Sequence, residues 1–259
     1  MEPDLFRIAA ADRFYSGLVP YAEPNAGLGG KLLYAGNLDS ASSALVIAAN
    51  IAGAASLAAC ADKAVQPQAI REGMVDFLVT TLDEALRILK NQVRKRETVA
   101  VCVAQPAEHL EREMVEIGVL PDLLPTSLSH ASAHAALVSQ GALQIVPVPV
   151  PESQSLLCWQ VPAEPALWLP KLDDLARECI DPAAQSALRW LRLAPRYLGR
   201  TAQHLRLVRC SPGIAPQFIG KVRELVEAGE IGVPVEIQIF SGDQSQTHRF
   251  QPKAAKATE

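Results

Sequence analysis

Residues 31–60 read KLLYAGNLDSASSALVIAANIAGAASLAAC. The apolar run Lys31–Gly36 predicts a strand, and Ala55–Cys60 predicts a second one. Between them, Ala41–Gly53 is apolar nearly all round, which is typical of a helix that is covered on several sides. Because parallel strands are joined by such helices in right-handed crossovers, this stretch indicates a parallel βαβ unit.

Strands and helices continue to alternate as far as residue 148. Further helices are predicted at Leu82–Arg94, which begins with a capping box, and at Pro106–Gly118, which has proline at its first position. Thr98–Ala104 is β-branched and apolar throughout, as in a strand covered on both faces. The other strands are predicted at Asp76–Val79, Leu123–Leu124 and Leu143–Val148. The alternation predicts an α/β fold with a doubly wound, mostly parallel, Rossmann-like sheet.

The C-terminal part of the chain has a different pattern. Residues 147–170 contain six prolines and two tryptophans without a helical period, so we expect them to cross between two parts without regular structure. Val235–Phe240 alternates apolar and polar residues, which predicts a strand at a sheet edge. Ser241–Glu259 is polar and predicts a loose tail. The other elements are predicted at Ala184–Ala194 (helix), Leu205–Cys210 (strand) and Phe218–Ala228 (helix).

The length of 259 residues suits one medium domain with a smaller appendage. We predict an N-terminal arm at residues 1–30, a Rossmann-like domain of dinucleotide-binding type at residues 31–150, and a smaller C-terminal α/β extension with the polar tail at residues 151–259. Apolar residues make up 49% and charged residues 20% of the chain, which excludes global disorder.

Net charge and cysteine usage limit the partners and the compartment. The formal charge of −4 and the pI of about 5.8 give the protein no general attraction to nucleic acid. No apolar run is long enough for a membrane helix and the acidic N-terminus lacks a secretory signal, so we expect no membrane partner and a cytoplasmic location. The five cysteines are odd in number and lack a CxxC pair, which indicates a reduced protein without structural zinc.

Several short sequence motifs resemble those of a known family. They are GGKLLYAG before the first turn, IAGAASL on the following helix and strand, TTLDEALRIL, and GVLPDLLPTS. With these motifs, Gly27–Ser127 resembles the dinucleotide-binding domain of the urocanase (urocanate hydratase) family. Leu188–Gln238, with LRWLRLA and RELVEAGEIGVPVEI, is similar to a later part of that family. Leu156–Trp168, with LLCW and ALW, is similar to the segment that carries its active-site cysteine.

The resemblance implies a Rossmann-like fold and NAD as the cofactor. In that family NAD is an electrophile that adds to the imidazole of urocanate so that water can attack, which implies a hydro-lyase activity. The matching position implies that Cys158 is catalytic. By resemblance and spacing, the candidate cofactor-binding residues are Gly36, Asp39, Ser40, Ser42, Asp62, Gln105, Ser132 and His134. We expect a small-molecule ligand and a homo-oligomer, a dimer.

The phosphate-binding loop departs from the family pattern. Its glycines are replaced in Asn37–Ser43, although glycines there let backbone amides approach a diphosphate without a Cβ in the way. Asp39 or Ser40 is either just the N-cap of the helix, or Asp39 turns its negative charge into the site. We expect the second case, with weak or undetectable NAD binding. Pro106, where the family has an Asn-Ala pair, has no amide to donate.

Asp62 and Cys158 each have two interpretations. Asp62 follows Gly36 by 26 residues, near the spacing of roughly 20 at which a carboxylate binds a ribose, and is otherwise an exposed loop residue. Cys158 lies between Leu157 and Trp159, an apolar setting that is typical of a buried and inert thiol. Only the family resemblance favours a catalytic role for it.

His130 and His134 are four residues apart and would share one face of a helix. They either line a pocket at the carboxyl ends of the strands, or hold a metal, or form a polar rim beside a helix that Ser129 or Ser132 caps. No Glu, Cys or Asp is placed by the sequence to complete a metal site, and we predict none.

Two functions follow from these observations. The first is a shortened urocanase homologue, since urocanases are about twice this long, with a hydro-lyase activity or a role as a subunit of a split enzyme. The second is a non-catalytic nucleotide-binding or small-molecule-binding module, or a partner subunit, that has kept the fold and lost the chemistry. Asp39 in the phosphate loop favours the second.

Overall fold

The computed structural model describes residues 3–24 and 26–252. The helices are α1 (Pro3–Leu18), α2 (Ser40–Ala52), α3 (Val65–Arg71), α4 (Leu82–Lys95), α5 (Ala107–Glu116), α6 (Ala131–Ser139), α7 (Pro165–Cys179), α8 (Gln185–Leu198) and α9 (Ile214–Glu227). The strands are β1 (Leu32–Asn37), β2 (Ala55–Ala59), β3 (Phe77–Val79), β4 (Val99–Val103), β5 (Leu123–Pro125), β6 (Leu143–Ile145), β7 (Ser155–Gln160), β8 (Leu205–Cys210), β9 (Val235–Ser241) and β10 (Gln244–Phe250). None of the helices within these residues is long and apolar enough to cross a bilayer.

The described residues form two compact units. The parallel-sheet unit comprises Ala10–Val148 and Tyr197–Gly199. The antiparallel-sheet unit comprises the described residues of Met1–Ala9, Pro149–Arg196 and Arg200–Glu259. Each unit has its own sheet, flanked by helices.

Six parallel strands form the larger sheet, in the order β3-β4-β2-β1-β5-β6. In β1, Leu33 is in register with Ser56 of β2 on one side and with Leu123 of β5 on the other. The chain adds β2, β3 and β4 on one side of β1, and then crosses over to add β5 and β6 on the other. This topology confirms the predicted doubly wound parallel fold, and the strand order reverses between β1 and β5.

The parallel sheet is covered on both faces. Every residue of β2 and β4 is buried, and successive side chains of a strand point to opposite faces. α4 contributes an apolar stripe that includes Leu82, Leu86 and Leu89. It begins at the predicted capping box, in which the hydroxyl of Thr81 accepts a hydrogen bond from the amide of Glu84.

Four antiparallel strands form the second sheet, in the order β10-β9-β7-β8. Side chains of α8 and α9 contact it. Trp159 of β7 packs against Phe218 of α9, with ring centroids 5.0 Å apart. Trp190 of α8 donates from its indole nitrogen to the carbonyl of Leu207, at 2.6 Å. The sequence correctly predicts a smaller C-terminal α/β part.

A buried ion pair stabilises this second core. Asp173 of α7 accepts hydrogen bonds from the indole nitrogen of Trp159, at 3.2 Å, and from Nε of Arg206, at 2.9 Å. The same guanidinium also donates to the carbonyls of Ala202 and Leu205. Burial raises the pKa of the Asp173 carboxyl, and the charge of Arg206 opposes that rise.

The predicted irregular crossing at residues 147–170 is wrong, because β7 and the start of α7 lie within it. Ser155–Gln160 contains no proline, and Pro165 occupies the first position of α7, where a missing N–H has no cost. Pro170 lies inside α7, as Pro195 lies inside α8.

Two further predictions for the C-terminal region are wrong. Val235–Phe240 is not at a sheet edge, since β9 pairs with β7 and with β10. Ser241–Glu259 is not a loose tail throughout, because Gln244–Phe250 forms the edge strand β10; residues 253–259 lie outside the described residues. A two-residue turn at Gly242 and Asp243 joins the strands, and Gly242 has the positive φ of 56° that such turns require.

Smaller corrections concern element ends. The strand predicted at Leu143–Val148 ends at Ile145, before Pro147. Pro106 is the N-cap of α5 and not its first helical residue. α1, within the predicted N-terminal arm, is a helix that the sequence analysis did not identify.

Candidate functional site

The predicted cofactor-binding residues all lie where parallel strands end. Gly36 is the penultimate residue of β1, and Asp39, Ser40 and Ser42 follow it around the start of α2. Asp62 follows β2, Gln105 follows β4, and Ser132 and His134 are in α6, the helix after β5. Since the carboxyl ends of parallel strands share one edge of a sheet, the fold brings these residues to a common edge.

The strand order reverses between β1 and β5, which is where open α/β sheets bind ligands, and we call this part of the edge the crevice. Gly36 has a φ of 80°, a backbone conformation that residues with a side chain rarely adopt. A Cβ built on it would lie 3.6 Å from Cδ2 of Leu128. The turn after β1 therefore lies against the segment 126–130, which joins β5 to α6 and is called the β5–α6 segment below. Leu128 also packs against the core cluster of Leu124 and Leu137.

Asp39 is the N-cap of α2. Its Oδ1 accepts hydrogen bonds from the amides of Ala41 and Ser42, each at 2.9 Å. Its own amide donates to the hydroxyl of Ser42, at 2.8 Å, which completes a capping box. The alternative that Ser40 is the cap is wrong, and so is the expectation that Asp39 turns into the site instead of capping the helix.

The cap uses the groups that would otherwise receive a phosphate. In dinucleotide-binding folds, the first amides of this helix bind the diphosphate. Here a carboxylate oxygen of Asp39 takes two of them, and the hydroxyl of Ser42 donates to the carbonyl of Asn37. The N-terminus of α2 is thus occupied by a negative charge of the protein itself.

The buried carboxylate of Glu111, in α5, binds the β5–α6 segment through hydrogen bonds. It is 0% exposed and accepts three hydrogen bonds. The donors are the hydroxyl of Tyr34 at 3.1 Å, the amide of Ser129 at 3.2 Å and the amide of His130 at 2.6 Å. Glu111 therefore ties the β5–α6 segment to the core beside β1.

Burial dominates the electrostatics of this group. It raises the pKa of the Glu111 carboxyl, and the hydrogen bonds from the amides of His130 and Ser129 oppose the rise. Burial and the neighbouring carboxyl raise the pKa of Tyr34 far above its usual range. Tyr34 therefore keeps its proton and acts as a donor to Glu111.

Sequence reasoning missed Glu111, although a signal for it is present. Glu111 shares the buried face of α5 with Ala107, Leu110 and Met114. A carboxylate on an apolar helix face needs hydrogen-bond donors from elsewhere in the fold. Those donors lie 18 and 19 residues away in the chain in the β5–α6 segment, and 77 residues away at Tyr34.

His130 caps α6 with its imidazole ring. Its Nδ1 accepts from the amide of Ala133, at 3.2 Å, so the ring proton of the neutral side chain is on Nε2. The prediction that Ser129 or Ser132 caps this helix is wrong; Ser132 instead places its hydroxyl 3.0 Å from the same Nδ1. Nε2 of His134 faces the carbonyl of Pro125, at 3.3 Å.

The two histidines therefore have separate partners and do not converge. Throughout residues 3–24 and 26–252, no group of three or more His, Cys, Asp and Glu side chains is arranged to hold a metal ion.

Asp62 and Gln105 bond within their own segments. Oδ1 of Asp62 accepts from the amide of Ala64, at 2.8 Å, in the exposed turn that leads into α3. The side chain of Gln105 donates to the carboxylate of Glu113, at 3.2 Å. Both residues lie at the edge of the sheet, and their side chains bond to neighbouring parts of the chain.

Cys158 lies in a different unit from these residues. It is in the middle of β7, 1% exposed, and in register with Leu207 of β8 and Gln238 of β9. A thiol in this position is not accessible to solvent. The apolar, buried interpretation of Cys158 accounts for this placement.

We predict that Glu111→Gln lowers the free energy of unfolding by about 1–3 kcal/mol. The NH₂ group of glutamine would face at least one of the three groups that now donate to the carboxylate, and that group would lose its acceptor. Urea unfolding followed by far-UV circular dichroism gives the loss, and amide hydrogen exchange at Ser129 and His130 should become faster. The control is Glu108→Gln, at an exposed position of the same helix. Equal stability and exchange in both variants would contradict the anchoring role.

The order of its six parallel strands, which reverses between β1 and β5, defines the parallel-sheet unit as a Rossmann-like α/β domain. Residues 19–141 match the family model described as the urocanase Rossmann-like domain. This part of the chain is therefore similar to the Rossmann-like domain of the urocanases, and the resemblance predicted for Gly27–Ser127 is confirmed.

Proposed function

We propose that the protein is a non-catalytic, urocanase-related binding module that holds a small polar molecule in the crevice between β1 and β5. Open α/β sheets bind their ligands at the point where the strand order reverses, which here is between β1 and β5. The side chains at this edge are polar and include Asp39, Asp62, Gln105 and His134. The observation that carries the proposal is the N-terminus of α2, which the carboxylate of Asp39 already occupies.

NAD, the cofactor that the family resemblance implies, does not fit this edge well. A diphosphate would have to displace the Asp39 carboxylate from two amides or lie beside its charge. At α5, the N-cap is Pro106, which has no N–H and no capping side chain. The residues present favour a ligand without a diphosphate, and we assign no step of a reaction to NAD.

A hydro-lyase, complete or as one subunit of a split enzyme, is the second candidate. The match to the urocanase Rossmann-like domain favours it. The burial of Cys158 in the middle of a strand opposes it, since a catalytic group must reach its substrate.

We predict that the purified protein does not hydrate urocanate when NAD is added. The measurement is the loss of urocanate absorbance over time, with a buffer blank and with Cys158→Ala as the matched variant. The wild type and the variant should both give the rate of the blank. A steady, protein-dependent loss that Cys158→Ala abolishes would contradict the proposal and make Cys158 catalytic.

A further inference from the structure

A cleft of about 490 Å³ opens in the antiparallel-sheet unit, between the β9–β10 hairpin and the ends of β7 and β8. Its volume lies in the range of roughly 300–1,000 Å³ that is usual for small-molecule sites. The side chains that matter here are Leu5, Leu205 and Phe240, which are apolar, and Gln160, Gln238 and Asp243, which are polar. We call it the hairpin cleft.

Glu236, beside the hairpin cleft, fixes the orientation of the two carboxamides. Its carboxylate accepts from Nε of Arg249, at 2.8 Å, and from Nε2 of Gln238, at 2.7 Å. Gln160, directly opposite it in the register of β7 and β9, also hydrogen-bonds to it. The donors, Arg249 first, hold the pKa of Glu236 below its usual range, so the carboxylate stays charged.

A charged carboxylate attracts N–H groups and repels carbonyl oxygens. Gln160 and Gln238 therefore turn their NH₂ groups to Glu236, which leaves the carbonyl oxygen of each as an acceptor for another group. Asp243, exposed in the turn of the hairpin, adds a carboxylate to the lining. No Lys, Arg or His is part of this lining.

The lining thus combines acceptors with an aromatic ring. An ammonium group has three N–H donors and no acceptor, which matches two amide oxygens and one carboxylate. The ring of Phe240 offers a face to a cation, and Leu5 and Leu205 offer apolar contact to a short carbon chain. An anion would meet the charge of Asp243 and find no cation.

We propose that the hairpin cleft binds an alkylammonium group on a short apolar stem. This site is separate from the crevice of the parallel-sheet unit, and it does not depend on what that crevice binds. The group is either a small free amine or the side chain of a lysine, which share this chemistry.

The test is a titration of the full-length ¹⁵N-labelled chain with three probes of similar size: n-butylammonium, 1-butanol and butyrate. Amide chemical shifts of Asp243–Thr247 report the hairpin cleft. We expect n-butylammonium to bind at least about tenfold more tightly than 1-butanol, because charge-assisted hydrogen bonds are the stronger ones, and butyrate to cause no shifts. Binding of 1-butanol or butyrate as tightly as the ammonium would overturn the proposal.

Asp243→Asn keeps a residue that suits the turn and removes the charge. It should weaken n-butylammonium binding by roughly three- to tenfold, and the spectrum of the variant shows whether the hairpin has kept its fold. Asp83→Asn, at an exposed carboxylate of α4, controls for the general attraction of cations to an acidic protein and should change nothing. Equal losses in both variants, or none in Asp243→Asn, would contradict the site.

A fourth probe, lysine with both backbone ends blocked, identifies the source of the group. Binding of n-butylammonium without binding of the blocked lysine assigns the cleft to a small amine. Equal or tighter binding of the blocked lysine assigns it to a lysine side chain. Either result supports the ammonium chemistry.

Discussion

Replacing Asp173 by alanine is expected to lower the free energy of unfolding of the antiparallel-sheet unit by about 3–5 kcal/mol. The side chain of Asp173 is 10% exposed, and that of its partner Arg206 is 12% exposed. Without the carboxylate, a buried guanidinium and the indole N–H of Trp159 lose their acceptor. A charge that is left buried and unpaired costs far more than a surface ion pair contributes.

Urea unfolding followed by tryptophan fluorescence measures this loss. The three tryptophans of the chain, Trp159, Trp168 and Trp190, all lie in the antiparallel-sheet unit, so the signal reports on that unit. The matched control is Asp174→Ala, which removes an exposed carboxylate paired with Arg177 and should cost less than about 1 kcal/mol.

A second variant separates the buried charge from general loss of packing. In Asp173→Leu with Arg206→Met, both charges are replaced by apolar groups, and the double variant should recover most of the stability. A loss below about 1 kcal/mol in Asp173→Ala, or an equally large loss in the double variant, would contradict the role of the ion pair.

The elements of the parallel-sheet unit could be predicted from the sequence because each depends on residues that are close together in the chain. Apolar runs of β2 and β4 and the periodic helix α4 each follow from a few consecutive residues. The capping box at Thr81 and Glu84 lies within four residues and is present as predicted. Alternation of these elements then leaves few topologies.

The antiparallel-sheet unit was predicted less well because prolines and polar residues there have meanings that depend on their partners. Proline is tolerated at the first position of a helix, where Pro165 lies, and α7 also continues past Pro170 in its interior. The polar residues of β10 belong to a strand because β9 lies beside them and Gly242 allows the turn. Neither fact follows from composition.

In the candidate site, the sequence predicted the location of the residues and not their partners. The residues named for cofactor binding lie at the carboxyl edge because the strands that precede them are parallel. That Asp39 bonds to the amides of α2 follows from local spacing, and capping was among the alternatives. That Glu111 holds the β5–α6 segment depends on contacts between distant parts of the chain, which no local pattern reports.

Because Asp39 caps α2, we expect substitutions of Asp39 to change the affinity for NAD. A unit charge at about 4 Å from a phosphate costs about 1 kcal/mol in bulk water and several-fold more near a protein surface. Since about 1.4 kcal/mol corresponds to a tenfold change in affinity, removal of the carboxylate should raise the affinity for NAD at least about tenfold. Occupation of two amides adds to this effect.

Two substitutions separate charge from occupation. Asp39→Asn removes the charge and keeps an oxygen that can cap the helix, since Asn is as good an N-cap as Asp. Asp39→Gly removes both and costs only a few tenths of a kcal/mol in helix stability. Glu108→Gln removes a carboxylate from the first turn of α5, at the same edge of the sheet, and serves as the control.

The most direct test is calorimetric titration of NAD into these four proteins, with circular dichroism to verify that the helices are formed. We predict weak or undetectable binding in the wild type and in Glu108→Gln, an intermediate gain in Asp39→Asn, and the largest gain in Asp39→Gly. Tight binding by the wild type, or no gain in a correctly folded Asp39→Gly, would contradict the claim that Asp39 takes the place of the phosphates.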